Sequence, residues 1–203
     1  MAHAFADIVF TPRVRAEQER LGSRRGYARM DQGARHHHLI GPDEAAFIEA
    51  RDSLYMATVG EGGWPYIQHR GGPPGFVRVL DERTLGFADF RGNRQYVSLG
   101  NLAGDDRAAF FFMDYARQAR LKLLGRVAAT EDPAQLGRLA LPDHPARVER
   151  GFVVHVEAFD WNCPQHITPR YTADEVAHAV APLRARLAAL EAQLRDAGLV
   201  PAP

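Results

Sequence analysis

Cys163 is the chain's one cysteine, so no disulfide can form within it and no cystine framework supports a small fold. Long apolar runs are missing too: no stretch approaches the roughly 18 residues that a membrane-spanning helix requires. The opening Met1-Ala2-His3-Ala4-Phe5 lacks the charged-then-apolar order of a secretory signal, and with the lone cysteine this gives the expectation of a reducing cytosol. There is no excess of either charge, with 25 Lys and Arg against 25 Asp and Glu, which removes the broad basic field of a general nucleic-acid or membrane-surface binder and leaves only local basic pockets. A Gly-x-Ser-x-Gly elbow, a phosphate loop ending in Gly-Lys-Ser/Thr and a His-Glu-x-x-His pair are all absent, so hydrolase and nucleoside-triphosphatase chemistry has no foothold. Nor does the chain show the βαβα rhythm of a doubly wound nucleotide-binding fold.

What is present fits one globular core with extensions: 203 residues, 46% hydrophobic and 25% charged. Thr11-Pro12 offers a cap and a proline at the first helical position, and Arg13 to Leu21 continues as a short surface helix. Gly22 to Gly33 reads as a connector. Pro42-Asp43-Glu44 places acids in the first turn of a helix over about 43–52. From residue 54 the pattern turns to strands: Leu54 to Val59, then Gly60-Glu61-Gly62-Gly63 as a turn into Trp64 to Ile67, then 75–80, 84–88, 108–114, 117–129 and 151–159. A helix over 93–102 and another within 131–146 interrupt them. The fold class is α+β, with short antiparallel strands forming a barrel or sandwich and helices at its flanks. The organisation expected is an N-terminal extension with a short helix over 1–42, a central domain over 43–170 and a C-terminal helical segment over 171–203.

That last segment carries the clearest local signal. Thr172-Ala173-Asp174-Glu175 matches a capping box, and Val176, Val180, Leu183, Leu187, Leu190 and Leu194 recur at spacings of four and three, a heptad-patterned seam. Pro182 predicts a kink or a division into two helices, and Gly198 a stop. The seam suits packing against the chain's own barrel or against a second subunit.

Several residues invite chemistry. His36-His37-His38 resembles a metal site, but neighbouring side chains diverge on helix and strand alike, which favours structural or surface histidines. Gln68-His69-Arg70-Gly71-Gly72 closes a strand with glycines that permit a ligand's close approach, or merely a bulge. Arg91 and Arg94 are either solvated charges on a turn or an anion site. The segment 160–170 is rich in polar and aromatic groups; Trp161 reads equally as a loop anchor or as the rim of a pocket. Cys163 is a nucleophile only with a base beside it, and no base is apparent in the sequence.

The order Pro65-Tyr66-Ile67-Gln68-His69-Arg70, Gly86-Phe87-Ala88-Asp89-Phe90-Arg91-Gly92-Asn93-Arg94-Gln95, Ala108 to Met113 and Arg117-Gln118-Ala119-Arg120-Leu121-Lys122 resembles the pyridoxamine 5′-phosphate oxidase family. It is closer to that family's broad flavin-nucleotide-binding branch than to the vitamin B6 oxidases. The resemblance implies an antiparallel split β-barrel over much of 43–170 and a homodimer with FMN in clefts between subunits. It implies that Arg70 reaches the phosphate, that Ala88 and Asp89 stand where relatives carry a Tyr-Thr pair near the flavin, and that Gln118 reaches the isoalloxazine ring. Asn93-Arg94-Gln95 replaces the usual Ser-Arg-Lys. Trp161 and Arg170 take the places of a late Trp and Arg beside the flavin.

A phosphate dianion wants a guanidinium fork, amide donors and free backbone N–H groups at a helix start, and Gly92, Asn93 and Arg94 offer all three. Gln95 supplies no cation, which leaves Arg70, Arg91 or Lys122 to compensate. The full expected cofactor set is Gln68, His69, Arg70, Ala88, Asp89, Asn93, Arg94, Gln95, Gln118, Lys122, Trp161 and Arg170, with His166 and Asn162 facing a small-molecule substrate. Two functions follow: an FMN-dependent oxidoreductase, whose cofactor performs the transfer while the protein orients it, or a flavin-binding or sensory module without turnover. A cofactor-free structural role is a third, and related split barrels can host deazaflavin or haem in place of FMN.

Overall fold

The computed structural model describes residues 3–31, 36–141, 144–161 and 164–199. Among them, the seven expected strands are all present: β1 (Ser53–Val59), β2 (Pro65–Gly71), β3 (Val77–Asp81), β4 (Thr84–Phe90), β5 (Arg107–Asp114), β6 (Ala119–Thr130) and β7 (Val148–Trp161). They form one antiparallel sheet in the order β2-β1-β5-β6-β7-β4-β3. The long β6–β7 pair is its spine, and the ladder slips between Leu124 and Gly125. A Cβ on Gly125 would lie 2.7 Å from the His155 carbonyl oxygen, so only glycine fits this bulge, which bends the spine and lets the sheet curl around one core.

Strand alternation fills that core. Leu54 and Met56 of β1, Phe110 and Phe112 of β5, Leu121 and Leu123 of β6, and Phe152, Val154 and Val156 of β7 point inward with Phe76 and Phe87. The two edge strands do not pair with each other, so the barrel is open between β2 and the β4–β3 half. This is the α+β antiparallel split barrel with flanking helices that the sequence led us to expect.

Seven helices accompany the sheet among the described residues: α1 (Ala4–Val9), α2 (Pro12–Arg20), α3 (Arg24–Tyr27), α4 (Pro42–Glu49), α5 (Val97–Gly104), α6 (Pro133–Leu139) and α7 (Ala173–Asp196). Thr11 accepts the Val14 N–H at the start of α2, and the Glu44 carboxylate accepts the Gly41 N–H at the start of α4, which drops Ile48 into the core. The sequence gives no sign of α1, which buries Ala4 and Ala6 against β7.

Two expectations change. The helix expected from Asn93 begins only at Val97, because Arg94 and Tyr96 adopt left-handed backbone angles (φ 60° and 55°) and hold 91–96 as a loop. α7 runs unbroken through Pro182 for 24 residues. Proline removes one hydrogen bond there, and on an exposed helix water satisfies the carbonyl left over. Its capping box forms as expected, with Thr172 N–H to Glu175 at 2.7 Å and Glu175 N–H to Thr172 at 3.1 Å, and Gly198 (φ 74°) ends it. α7 contributes no buried residue, and Leu183 and Leu187 of its seam are 71% and 58% exposed. Of the two partners open to the seam, its own barrel is therefore not the one. No described helix is long and apolar enough to cross a membrane.

Candidate functional site

The opening between β2 and β4 is lined by charge. β2 turns Gln68 and Arg70 to the inside of the split and His69 to the opposite face, where its ring meets Tyr55 at 5.6 Å. β4 and β7 are in register at Asp89 and Arg150, which places both side chains at the same mouth. Asp89, 7% exposed, takes one guanidinium on each oxygen: Arg70 Nη1 at 2.5 Å and Arg150 Nη1 at 2.9 Å. A buried carboxylate held this way has its desolvation offset by two charge-assisted hydrogen bonds. The Arg70–Asp89 contact also joins β2 to β4, two strands that do not pair with each other. Arg70 Nε is buried without a hydrogen-bond partner, and its guanidinium lies 5.2 Å from the Phe152 ring centroid.

The 91–96 loop forms the outer lip. Asn93 Oδ1 accepts the Gln95 N–H at 3.2 Å, and Arg94 folds back to donate from Nε to the Tyr96 hydroxyl at 3.1 Å. That hydroxyl in turn donates to Glu149 at 3.4 Å, and the Arg150 guanidinium lies 5.1 Å from the Tyr96 ring centroid. Ser98, in the first turn of α5, donates to Gln68 Oε1 at 2.9 Å and fixes the helix start against β2. Together these groups enclose a cleft of about 190 Å³. Arg70, Arg94 and Arg150 stand against Asp89 and Glu149, leaving one positive charge in excess.

A second surface lies on the outside of β1, β5 and β6. Tyr55, Ala57, Phe111, Met113 and Leu124, the outward partners of the core residues, floor an apolar groove of about 690 Å³. Lys122, His166 and Arg170 stand among its lining residues. Lys122 Nζ pairs with Asp160 at 2.6 Å and lies 4.9 Å from the Phe5 ring centroid. Gln118, itself left-handed at φ 53°, donates from Nε2 to the Ile167 carbonyl at 2.6 Å and so holds the 164–170 segment beside the groove. Arg170 lies 4.8 Å from the Tyr115 ring centroid. The nearby Tyr115 hydroxyl raises the Tyr55 hydroxyl above its usual pKa, burial adds to this, and Arg170 opposes it.

The residues singled out from sequence thus fall into separate groups. Gln68, Arg70, Asp89, Asn93 and Arg94 line the cleft, and Gln95 is exposed beside it. Lys122, His166 and Arg170 line the groove, with Gln118 supporting it. Ala88 is buried opposite Gly151 and lines neither. Trp161 is an anchor: its indole N–H donates to Glu44 at 2.9 Å and its ring meets Phe47 edge-on at 4.7 Å, pinning the end of β7 to α4. Asn162 and Cys163 lie outside the described residues. Sequence reasoning missed Arg150, Glu149, Tyr96 and Ser98. The adjacent charges Glu149-Arg150 just before the apolar run Phe152-Val153-Val154 were the available signal.

The family model described as pyridoxamine 5′-phosphate oxidase matches residues 40–157, the whole barrel up to the middle of β7. Similar solved structures include HupZ of Group A Streptococcus (16% identity, TM-score 0.47, covering 66% of this chain and 100% of that one). An FMN-binding protein from Syntrophomonas wolfei is also similar (12% identity, TM-score 0.46, 59% and 83%), as is an F420 reductase (20% identity, TM-score 0.42, 60% and 98%). No curated protein matches the chain.

Proposed function

The chain belongs to the pyridoxamine 5′-phosphate oxidase family, and from that premise we propose that it binds FMN by the phosphate in the Arg70–Arg94–Arg150 cleft and acts as a flavin-dependent oxidoreductase on a small molecule. The observation that carries the reading is the cleft itself: three guanidiniums at a helix start, one with a buried Nε lacking a partner, beside a loop with left-handed backbone. The residues fit the group. Arg94, the exposed member, is free to swing from Tyr96 toward a phosphate, the Asn93 carboxamide keeps its Nδ2 donors, and Arg70 and Arg150 supply charge behind them. Asp89 tempers that charge and does in part what the missing lysine at Gln95 also does, holding the phosphate less strongly.

At about 190 Å³ the cleft is smaller than the roughly 300–1,000 Å³ of a pocket that encloses a drug-sized ligand, so it suits the phosphate end alone. The isoalloxazine ring then needs a second surface. The apolar outer groove of a second copy, bearing Lys122, His166 and Arg170, is of the right character, and this favours a homodimer with composite sites. FMN, when bound, supplies the hydride or electron transfer. This chain's own part is to fix the phosphate, wall off water with Phe111, Met113 and Leu124, and present His166 and Arg170 as donors to the substrate. A second reading, a flavin-binding module without turnover, is favoured by the uncovered α7 seam, which is available for a partner protein.

The test is to purify the protein, record its visible spectrum and identify any released cofactor by mass. FMN together with NADH- or NADPH-dependent bleaching supports the oxidoreductase. FMN without reduction by either donor leaves the binding module. A deazaflavin, haem or colourless protein that takes up no FMN overturns the assignment.

A further inference from the structure

Two of the three consecutive histidines, His36 and His37, come together, and the fold brings a further one, His3, to them. α1 begins at Ala4, and the residue before it, His3, forms a parallel bridge with His36, with Ala4 N–H donating to the His36 carbonyl at 3.1 Å. Phe159 N–H of β7 donates to the His37 carbonyl at 2.9 Å, so backbone hydrogen bonds fix both histidine-bearing segments beside the end of β7. His37 takes a left-handed conformation (φ 60°) that turns its ring away from the direction an extended chain would give it. It stacks on His3 at 4.2 Å between centroids, while His36 meets both rings edge-on at 5.0 and 4.7 Å. One ring nitrogen from each of His3, His36 and His37 lies within 4.8 Å of the others. His3 is 5% exposed, and its Nδ1 and that of His37 are buried without a hydrogen-bond partner. Asp160 lies beside this trio, with Oδ1 3.5 Å from His3 Nε2.

We propose that His3, His36, His37 and Asp160 form a binding site for one divalent transition-metal ion of the zinc class. Three imidazoles and a carboxylate are a nitrogen-and-oxygen donor set that suits zinc, and they suit calcium or magnesium poorly. Tetrahedral zinc with bonds of about 2.0–2.1 Å sets its ligand nitrogens roughly 3.3 Å apart, so the rings must close by about 1.5 Å, which side-chain rotation supplies. Ligation through Nδ1 would also give the buried His37 ring nitrogen a partner that it otherwise lacks, a cost that native interiors seldom carry. The site is structural in kind. It would tie the N-terminal segment to the end of β7, and through Asp160 and its partner Lys122 it would hold Phe5 at the edge of the outer groove.

The experiment uses the full chain stripped with a chelator and then given zinc chloride or cobalt chloride alone. One equivalent of zinc should bind, cobalt should show the strong visible bands of a four-coordinate ion, and the melting temperature should rise with zinc. His3→Ala and His37→Ala should each weaken zinc binding by at least about tenfold, and Asp160→Asn by less, whereas His178→Ala on exposed α7 should change nothing. A measurement on the unmodified chain covers the case in which a variant fails to fold. Zinc should protect His3, His36 and His37, but not His178, from carbethoxylation mapped by mass spectrometry. Absence of stoichiometric uptake, wild-type affinity in both histidine variants, or protection shared equally by His178 overturns the site. None of these readouts depends on flavin, so they stand apart from the fate of the oxidoreductase reading.

Discussion

At the scale of single residues, Asp89 decides what the cleft is. It is a buried carboxylate between two arginines, and it must both close the barrel's open side and leave enough positive charge for an anion. Asp89→Ala leaves Arg70 and Arg150 facing each other in a low-dielectric mouth, and we expect a loss of about 3–5 kcal/mol in denaturant unfolding. Arg94 has no such structural duty: it is exposed and bonds only within its own loop. Arg94→Ala should therefore leave the unfolding midpoint in place while weakening FMN binding roughly ten- to a hundredfold, the worth of one charge-assisted hydrogen bond, as read by flavin fluorescence titration. Unchanged FMN affinity would sink the phosphate assignment. Arg70, Asp89 and Arg94 were legible because a family resemblance carried them. Arg150 was not, because its place beside Asp89 is set by the register of β4 against β7, a pairing between residues 61 apart in sequence that no local pattern encodes.

At the scale of elements, the most informative junction ties the end of α4 to the end of β5. Asp114, 5% exposed, is held by Arg51 at 2.9 Å and accepts the Arg117 N–H at 2.9 Å. Burial alone would raise its pKa, but the Arg117 N–H and then the Arg51 and Arg117 charges outweigh burial and bring it below the usual carboxylate value. With the folded pKa below the unfolded one, the carboxylate adds stability that is fully present above the unfolded value, about 3.9, and is lost as pH falls through the folded one. Asp114→Asn should be destabilised at pH 7 and should lose less of its remaining stability than the parent on acidification below about pH 4, as followed by chemical denaturation at each pH. Helix ends divided by the locality of their cause. The Thr172–Glu175 box and the Gly198 stop were legible because capping is settled within four residues. The delayed start of α5 was not, because Arg94 and Tyr96 take left-handed angles in a loop whose side chains are held by Glu149 and Arg150, far along the chain.

At the scale of the whole molecule, two apolar surfaces stand uncovered among the described residues, and the proposed homodimer would use one of them. One is the outer face of β1, β5 and β6, where β5 reads Ala108-Ala109-Phe110-Phe111-Phe112-Met113 with apolar residues on both sides. A strand apolar on both faces is covered on both, whereas a strand with one wet face alternates. That made the strands easy to find in sequence but left the use of their outer face unread, since a core residue and an exposed apolar residue look alike there. The other surface is the α7 seam. The two make opposite predictions in sedimentation. If the outer sheet face joins the subunits, Phe111→Arg should convert the dimer to monomer and lower FMN affinity with it, while removal of residues 172–203 should leave both dimer and barrel melting temperature unchanged, as expected for a helix that buries nothing. If the seam joins them, the truncated chain becomes monomeric and Phe111→Arg does not. We expect the first outcome. The sheet face lies next to Lys122, His166 and Arg170, where a flavin ring would need its second wall, and the seam offers only valines and leucines with no polar group convergent on a ligand.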